Sequence, residues 1–159
     1  MDEIRERNPA PYQTQQDEEQ ILASARCIID RRFMRQGIIS DPTQAGDMIR
    51  LRIGGEPREI LLVLYLDNNH SVIAIKEEFL GNLSECPARP RQIVQEALRH
   101  NASGIILAHN HPSGTNVPSM SDETFTRALQ KTLAMFDIRL IDHLVIGTEV
   151  TSMARLGVL

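Results

Sequence analysis

The chain has 159 residues, of which 42% are hydrophobic and 24% are charged, and these proportions are typical of one globular domain with a sizeable core. Its net charge of −4 does not support a broad nucleic-acid-binding face, and an aromatic content of 4% without tryptophan argues against base-stacking platforms. Two cysteines are too few for a disulfide scaffold, and no apolar run approaches the roughly 20 residues of a membrane span.

The first part of the sequence predicts a tail followed by two helices. Residues 1–14 carry prolines and a mixed-sign charge cluster, which predict a mobile N-terminal tail. Residues 15–40 are predicted to form an N-terminal helical segment, with apolar residues at helical spacing that we expect to face the core together with Cys27. These apolar residues are Ile21, Leu22, Ala25, Ile28 and Ile29. A second helix is predicted from Pro42 to Gly54, because proline suits a first helical turn and glycine follows a helix end.

The rest of the chain mixes strands and helices. In order, the patterns predict a strand over 59–66, a turn at 67–69, a strand over 71–79, a helix from 89 or 90 to 100, a buried strand from 104 that leads to position 109, a helix from 119 to about 136, a strand over 138–146 and an edge strand over 150–153. Because strands and helices do not alternate strictly, the sequence predicts an α+β or α/β fold with a mixed sheet.

A metal site is predicted where the buried strand ends. His109 and His111 stand two residues apart on an extended segment, so their side chains point to the same side. Asp122 supplies a third ligand, and three protein ligands with one open position are typical of a catalytic zinc. Spacing alone leaves alternatives open, because Ser119 and Asp122 also fit a helix-capping pair. The histidines also fit ordinary hydrogen-bonded groups.

The run of histidines, serine and aspartate resembles the JAMM motif of the MPN/JAB metalloprotease fold, His-x-His, seven residues, Ser, two residues, Asp. The string from His109 to Gly114 (HNHPSG) and the segments 59–67, 90–98 and 138–147 are similar to the RadC-like branch of that fold. This resemblance covers roughly residues 40–159. It implies a cytidine-deaminase-like mixed sheet flanked by helices, with residues 41–159 as a RadC-like MPN/JAB metalloprotease domain.

The resemblance also implies roles for single residues. His109, His111 and Asp122 would bind Zn²⁺, and Ser119 would hydrogen-bond near the metal and help to hold a developing oxyanion. Glu59, eight residues before Asp67, is the best match to the family's general base. Three other glutamates compete with it: Glu56, Glu77 and Glu78. Together these roles predict a metallopeptidase or isopeptidase in which a metal-bound water attacks an amide carbonyl.

Two residue patterns that differ from those of the wider fold affect the functional prediction. Asn110 stands where deubiquitinating members usually carry Ser or Thr, which weakens a ubiquitin-directed role. The helical N-terminal module of full-length RadC proteins is not evident, and with it goes one obvious DNA-contacting element. An HNH nuclease is rejected, because His109, Asn110 and His111 are contiguous and Asn110 would point away from the histidines.

Two other functions remain as alternatives. RadC-like proteins carry a DNA-repair label, and a nucleic-acid role would depend on a local basic patch formed by Arg89, Arg91 and Arg99. A non-catalytic MPN binding module is the last alternative. His143 lies on the strand over 138–146 and either supports a metal ligand or is a satisfied core histidine, and spacing alone favours the core.

The expected surroundings of the protein follow from the same features. We expect a peptide or protein substrate, although no sequence feature distinguishes a peptide from a ubiquitin-like tail or a small amide. Apolar edge strands would accept an extended peptide by strand addition, and the same strands would also support a homodimer. The charged start of the sequence does not resemble a signal peptide, which predicts a cytoplasmic protein without membrane contact. Cys86 fits a small buried or loop residue, although a reactive thiol or a fourth ligand remains open.

Overall fold

A computed structural model describes residues 15–36, 42–80 and 90–159 of the chain. Its elements are α1 (Gln15–Gln36), α2 (Pro42–Ile53), β1 (Ile60–Leu66), β2 (Val72–Leu80), α3 (Pro90–Arg99), β3 (Gly104–Asn110), α4 (Met120–Ala134), β4 (Arg139–Ile146) and β5 (Val150–Ser152). The predicted elements are confirmed in order and type, and their ends move by a few residues. The predicted tail, Cys86 and Arg89 lie outside the described residues.

One mixed sheet organises the described chain, with strand order β2-β1-β3-β4-β5. Strands β3 and β4 are parallel and are joined through α4, whereas the other neighbouring pairs are antiparallel. Leu61 of β1 pairs with His109 of β3, and Asn110 pairs with Ile146 of β4. The end of β3 therefore lies between the start of β1 and the end of β4, and the α+β prediction with a mixed sheet is confirmed.

Each face of the sheet carries its own core. Side chains of one face pack against α3 and α4, and the main residues are Leu61, Val63, Tyr65, Ile93, Ala97, Ile105, Leu107, Leu129 and Leu133. The other face packs against α2 through Ile49, Ile53, Leu62, Leu64, Ile106, Ala108, Leu144 and Ile146. Every residue of β1 and β3 is buried, which explains why both strands are apolar runs without alternation. Both strands are therefore packed on both sides.

The predicted burial of α1 is wrong for most of its stripe. Ile21, Leu22 and Ile28 are 47%, 56% and 51% exposed, and Cys27 is exposed as well. The apolar face of a helix becomes buried only where another apolar surface is available to pack against it. Here the described helices α2, α3 and α4 already cover the two faces of the sheet. Leu98, which the sequence predicts to face inward on α3, is also half-exposed.

None of the described helices combines the length and the apolar character that a membrane span requires.

In the predicted basic patch, Arg91 is exposed, and the guanidinium of Arg99 is paired with the carboxylate of Glu96 at 2.7 Å.

Candidate metal centre

His109 and His111 lie where β3 leaves the sheet. His109 is fully buried, whereas His111 is partly exposed, and their Nε2 atoms are 2.9 Å apart. The backbone N–H of His111 donates to the carbonyl of Ile146, which extends the pairing with β4 by one residue. The Nδ1 atom of His111 lies 3.0 Å from the carbonyl oxygen of Thr115 and is a donor in the tautomer that this contact requires. Both rings thus direct Nε2 towards the same point, as the spacing predicts.

The loop after His111 returns the chain to this point and starts α4 with a cap. Gly114 has φ +82°, a backbone conformation that glycine adopts without strain, and its N–H donates to the carbonyl of His111. Ser119 is the N-cap of α4, and Ser119 and Asp122 form a capping box. The Ser119 hydroxyl accepts the N–H of Asp122 at 3.1 Å, and the Asp122 Oδ2 atom accepts the N–H of Ser119 at 2.7 Å. The capping interpretation of these two residues is confirmed.

Capping uses Oδ2 of Asp122, which also lies 3.6 Å from Nε2 of His111, and leaves Oδ1 beside His109. Oδ2 also accepts the hydroxyl proton of Ser119 at 2.7 Å, while Oδ1 lies 3.4 Å from Nε2 of His109. Burial alone would raise the pKa of Asp122, but the hydrogen bond and charge that His109 supplies when its imidazole is protonated, together with the donors of Ser119, hold this pKa well below its ordinary value. The side chain is therefore a carboxylate, the form that binds a metal, at neutral pH.

Glu59 reaches the same point from the start of β1. Its Oε1 atom lies 4.0 Å from Nε2 of His109 and 3.9 Å from Nε2 of His111. Of its predicted rivals, Glu56 pairs with Arg26 and Glu77 pairs with Arg52. The side chain of Glu78 lies outside the described residues. The structure thus brings together Glu59, and not Glu56 or Glu77, with the predicted ligands.

The four side chains form a group that fits a metal ion. One donor atom from each of Glu59, His109, His111 and Asp122 lies within 4.8 Å of all the others. A tetrahedral zinc with bonds of 2.0–2.2 Å separates its ligand atoms by about 3.4 Å. The Nε2 atoms of the two histidines are 2.9 Å apart, Oδ1 of Asp122 lies 3.4 Å from Nε2 of His109, and Oδ2 of Asp122 lies 3.6 Å from Nε2 of His111, all of the order of this value. Imidazole and carboxylate donors suit zinc, although they also suit other divalent metals.

Asn110 points away from the two histidines, as predicted, and its side chain holds the segment that carries Glu59. Its Oδ1 accepts the backbone N–H of Ile60 at 2.7 Å. Its Nδ2 donates to the carbonyls of Glu56 and Arg58 at 3.2 and 3.0 Å. All three partners are backbone groups within three residues of Glu59. This role of Asn110 was not predicted from the sequence, because its partners are backbone groups some 50 residues earlier that leave no side-chain signal.

His143 is fully buried, as expected of a core histidine, and it also contacts the site. Its Nε2 lies 2.8 Å from Nδ1 of His109, and its Nδ1 lies 2.6 Å from the hydroxyl of Thr126. Burial, and next the nearby His109, hold the pKa of His143 well below the usual imidazole value. Thr126 was not singled out from the sequence. Its position one helical turn after Asp122 is the signal that places it near the site.

The mixed sheet with helices on both faces and the acid–histidine group at the end of β3 are together consistent with a JAB/MPN-type domain. The family model for the RadC-like JAB domain matches residues 39–158. The chain therefore belongs to the RadC-like JAB domain family, which confirms the resemblance.

Relatives named UPF0758 protein match most of the chain. One from a Polaromonas species is 41% identical over 140 residues, which are 87% of this chain and 62% of that protein. One from Vibrio cholerae is 39% identical over 148 residues, which are 92% of this chain and 94% of that protein. One from Bordetella petrii is 44% identical over 140 residues, again 62% of its length. The chain thus spans less than two thirds of two of these relatives, and their names state no activity.

Proposed function

We propose that this protein is a zinc-dependent hydrolase of peptide or isopeptide bonds. The observation that carries the proposal is the convergence of two imidazoles and two carboxylates within 4.8 Å at the end of a fully buried strand. Membership of the RadC-like JAB domain family supports it. The proposal includes a peptide or protein substrate and a cytoplasmic location, as the sequence predicts.

In this proposal, His109, His111 and Asp122 hold the metal and Glu59 is the general base. When bound, zinc lowers the pKa of a water molecule and polarises the substrate carbonyl. Glu59 accepts a proton as the water oxygen bonds to the carbonyl carbon, and it passes that proton to the amine when the carbon–nitrogen bond breaks. Its carboxylate is partly exposed and 3.9 Å from Nε2 of His111, so it reaches both the ligands and solvent.

Ser119 is the proposed hydrogen-bonding residue beside the metal. Its hydroxyl donates to Oδ2 of Asp122 in the structure. This bond orients the carboxylate ligand, and the hydroxyl must turn away from Asp122 before it can donate to an oxyanion on the substrate. Orientation of Asp122 is therefore the first role of Ser119 in this mechanism.

The metal part of the proposal is tested by zinc content. Untagged protein is loaded with zinc, dialysed and measured by elemental analysis as wild type, Asp122→Asn and Asp67→Asn. Asp67 is the matched control, because its Oδ1 accepts two backbone N–H groups in the β1–β2 turn, away from the site. We expect about one zinc per chain in the wild type and in the control, and loss of zinc from Asp122→Asn. A wild type without zinc contradicts the proposal.

The catalytic part is tested on zinc-loaded protein with a mixture of peptides derived from a cell extract. Mass spectrometry identifies new termini produced by the wild type and by Glu59→Gln, a variant of nearly the same shape that cannot accept the proton. We expect cleavage by the wild type and none by the variant, at equal zinc content. A zinc-loaded wild type that cleaves no amide in peptides or in isopeptide-linked proteins would instead indicate a binding module.

A further inference from the structure

A buried line of hydrogen bonds connects the backbone of α4 with a candidate metal ligand. The Thr126 hydroxyl lies 2.6 Å from the carbonyl oxygen of Asp122 and 2.6 Å from Nδ1 of His143. The line continues over 2.8 Å from Nε2 of His143 to Nδ1 of His109. Thr126, His143 and His109 are all 0% exposed, so water does not compete for these bonds.

The chemistry of the first acceptor determines the proton positions along this line. A carbonyl oxygen only accepts, so the Thr126 hydroxyl donates its proton to Asp122, and its other close neighbour, the Met153 sulfur at 3.8 Å, is a weak acceptor. The Thr126 oxygen must then accept from Nδ1–H of His143. A neutral imidazole carries one N–H, so Nε2 of His143 accepts from Nδ1–H of His109.

The proton positions determine which nitrogen of His109 is available to a metal. In the neutral ring with its proton on Nδ1, the Nε2 atom of His109 carries a lone pair that faces His111 and Asp122. Nδ1 of His111 donates to Thr115, so the Nε2 atom of a neutral His111 also carries a lone pair, 2.9 Å away, and a metal ion would satisfy both. A ligand histidine usually donates its second N–H to a carboxylate, a carbonyl or a water, which fixes its tautomer and its ring orientation. Here the partner is a second imidazole, whose own tautomer is fixed by a hydroxyl that is anchored on Asp122, the residue that also supplies the candidate carboxylate ligand.

We propose that Thr126 and His143 are positioning residues that hold His109 in the Nδ1–H tautomer and present its Nε2 to the metal. This inference rests on the proposed metal binding, but its tautomer component holds for the metal-free protein as well. The hydrogen bonds from Thr126 through His143 to His109, called the relay below, begin at the carbonyl of Asp122. Because the carboxylate ligand also belongs to Asp122, the relay couples His109 to the helix that carries the acidic ligand.

The first test compares Thr126→Val with Thr132→Val. Thr132 is a matched control on the same helix, because its hydroxyl donates at 2.9 Å to the carbonyl of Ala128, four residues earlier, just as that of Thr126 donates to the carbonyl of Asp122. Valine keeps the shape of threonine and removes the hydroxyl. Zinc affinity is measured by competition with a chelator of known affinity. We expect a loss of roughly 10- to 100-fold for Thr126→Val and little change for Thr132→Val. Equal affinities would overturn the inference and leave the proposed metal site intact.

The second test needs neither zinc nor a variant that folds well. Nitrogen-15 spectra of the imidazoles in the metal-free wild type, above the pH at which histidines are charged, report which nitrogen carries each proton. We expect His109 and His143 both to be protonated on Nδ1. A proton on Nε2 of either ring overturns the inference, whatever the zinc content. The expected tautomers in a protein that binds no zinc would support the relay while contradicting the proposed function.

Discussion

Replacement of Asn110 by alanine tests how the Glu59 segment is held. The change removes three side-chain hydrogen bonds to backbone groups of that segment. Its most costly result is a buried Ile60 N–H without its partner, about 1–3 kcal/mol, whereas the two released carbonyls lie on partly exposed residues where water can replace Asn110. With the net loss of the two weaker bonds added, we expect a fall of about 2–4 kcal/mol in the free energy of unfolding.

Urea unfolding of the metal-free protein measures this fall, with Asn68→Ala as the control. Asn68 is exposed in the β1–β2 turn, so its replacement should change stability by no more than about 0.5 kcal/mol. Hydrogen exchange should show faster exchange at the Ile60 amide in Asn110→Ala than in either other protein. If Asn110→Ala unfolds at the wild-type urea concentration and the Ile60 amide stays protected, the Asn110 side chain does not hold this segment.

Three further predictions concern the metal ligands. In Gly147→Ala the new methyl group would collide with the carbonyl of Thr115, which lies against Nδ1 of His111, so we expect weaker zinc binding in a chelator competition. Gly55 has open space around it, so Gly55→Ala should bind zinc like the wild type. Zinc at a thousandfold excess over its dissociation constant should stabilise the wild type by about 4 kcal/mol in thermal unfolding, and an equal response of His109→Ala would place the metal elsewhere. Ser119→Ala removes the helix cap, so we expect a loss of about 1 kcal/mol in urea unfolding together with weaker zinc binding; unchanged zinc affinity would show that the cap does not orient the ligand.

Much of the fold follows from local patterns in the sequence. The apolar runs of β1 and β3 predict fully buried strands, and Pro42 and Ser119 mark helix starts that the structure confirms. The burial of α1 could not be predicted in the same way. A stripe such as Ile21 and Ile28 records which face of a helix is apolar, but the space beside that face depends on which helices already cover the sheet.

The candidate site likewise combines residues that local spacing indicates with residues that only strand pairing brings close. His109, His111 and Asp122 are close in sequence, so their spacing already indicates a common site, whereas Glu59 lies 50 residues before His109 and was found only through the family resemblance. The structure places it beside the histidines because β1 pairs with β3 in a register that sets Leu61 opposite His109. The contact between His143 and His109 depends in turn on the parallel pairing of β3 with β4. Strand pairing between distant segments is not encoded in local spacing.

The capping and metal interpretations of Asp122 turn out to describe one arrangement. The capping box occupies Oδ2 with two donors from Ser119, and this fixes the carboxylate with Oδ1 towards His109. A carboxylate that is already oriented and ionised does not have to be ordered again when a metal arrives, which favours tight binding. The same helix start therefore contributes to folding and to the candidate site, and a substitution there is expected to change both stability and metal affinity. The match of Ser119 and Asp122 to a capping box therefore does not count against Asp122 as a metal ligand, because the cap holds the carboxylate in the orientation that ligation requires.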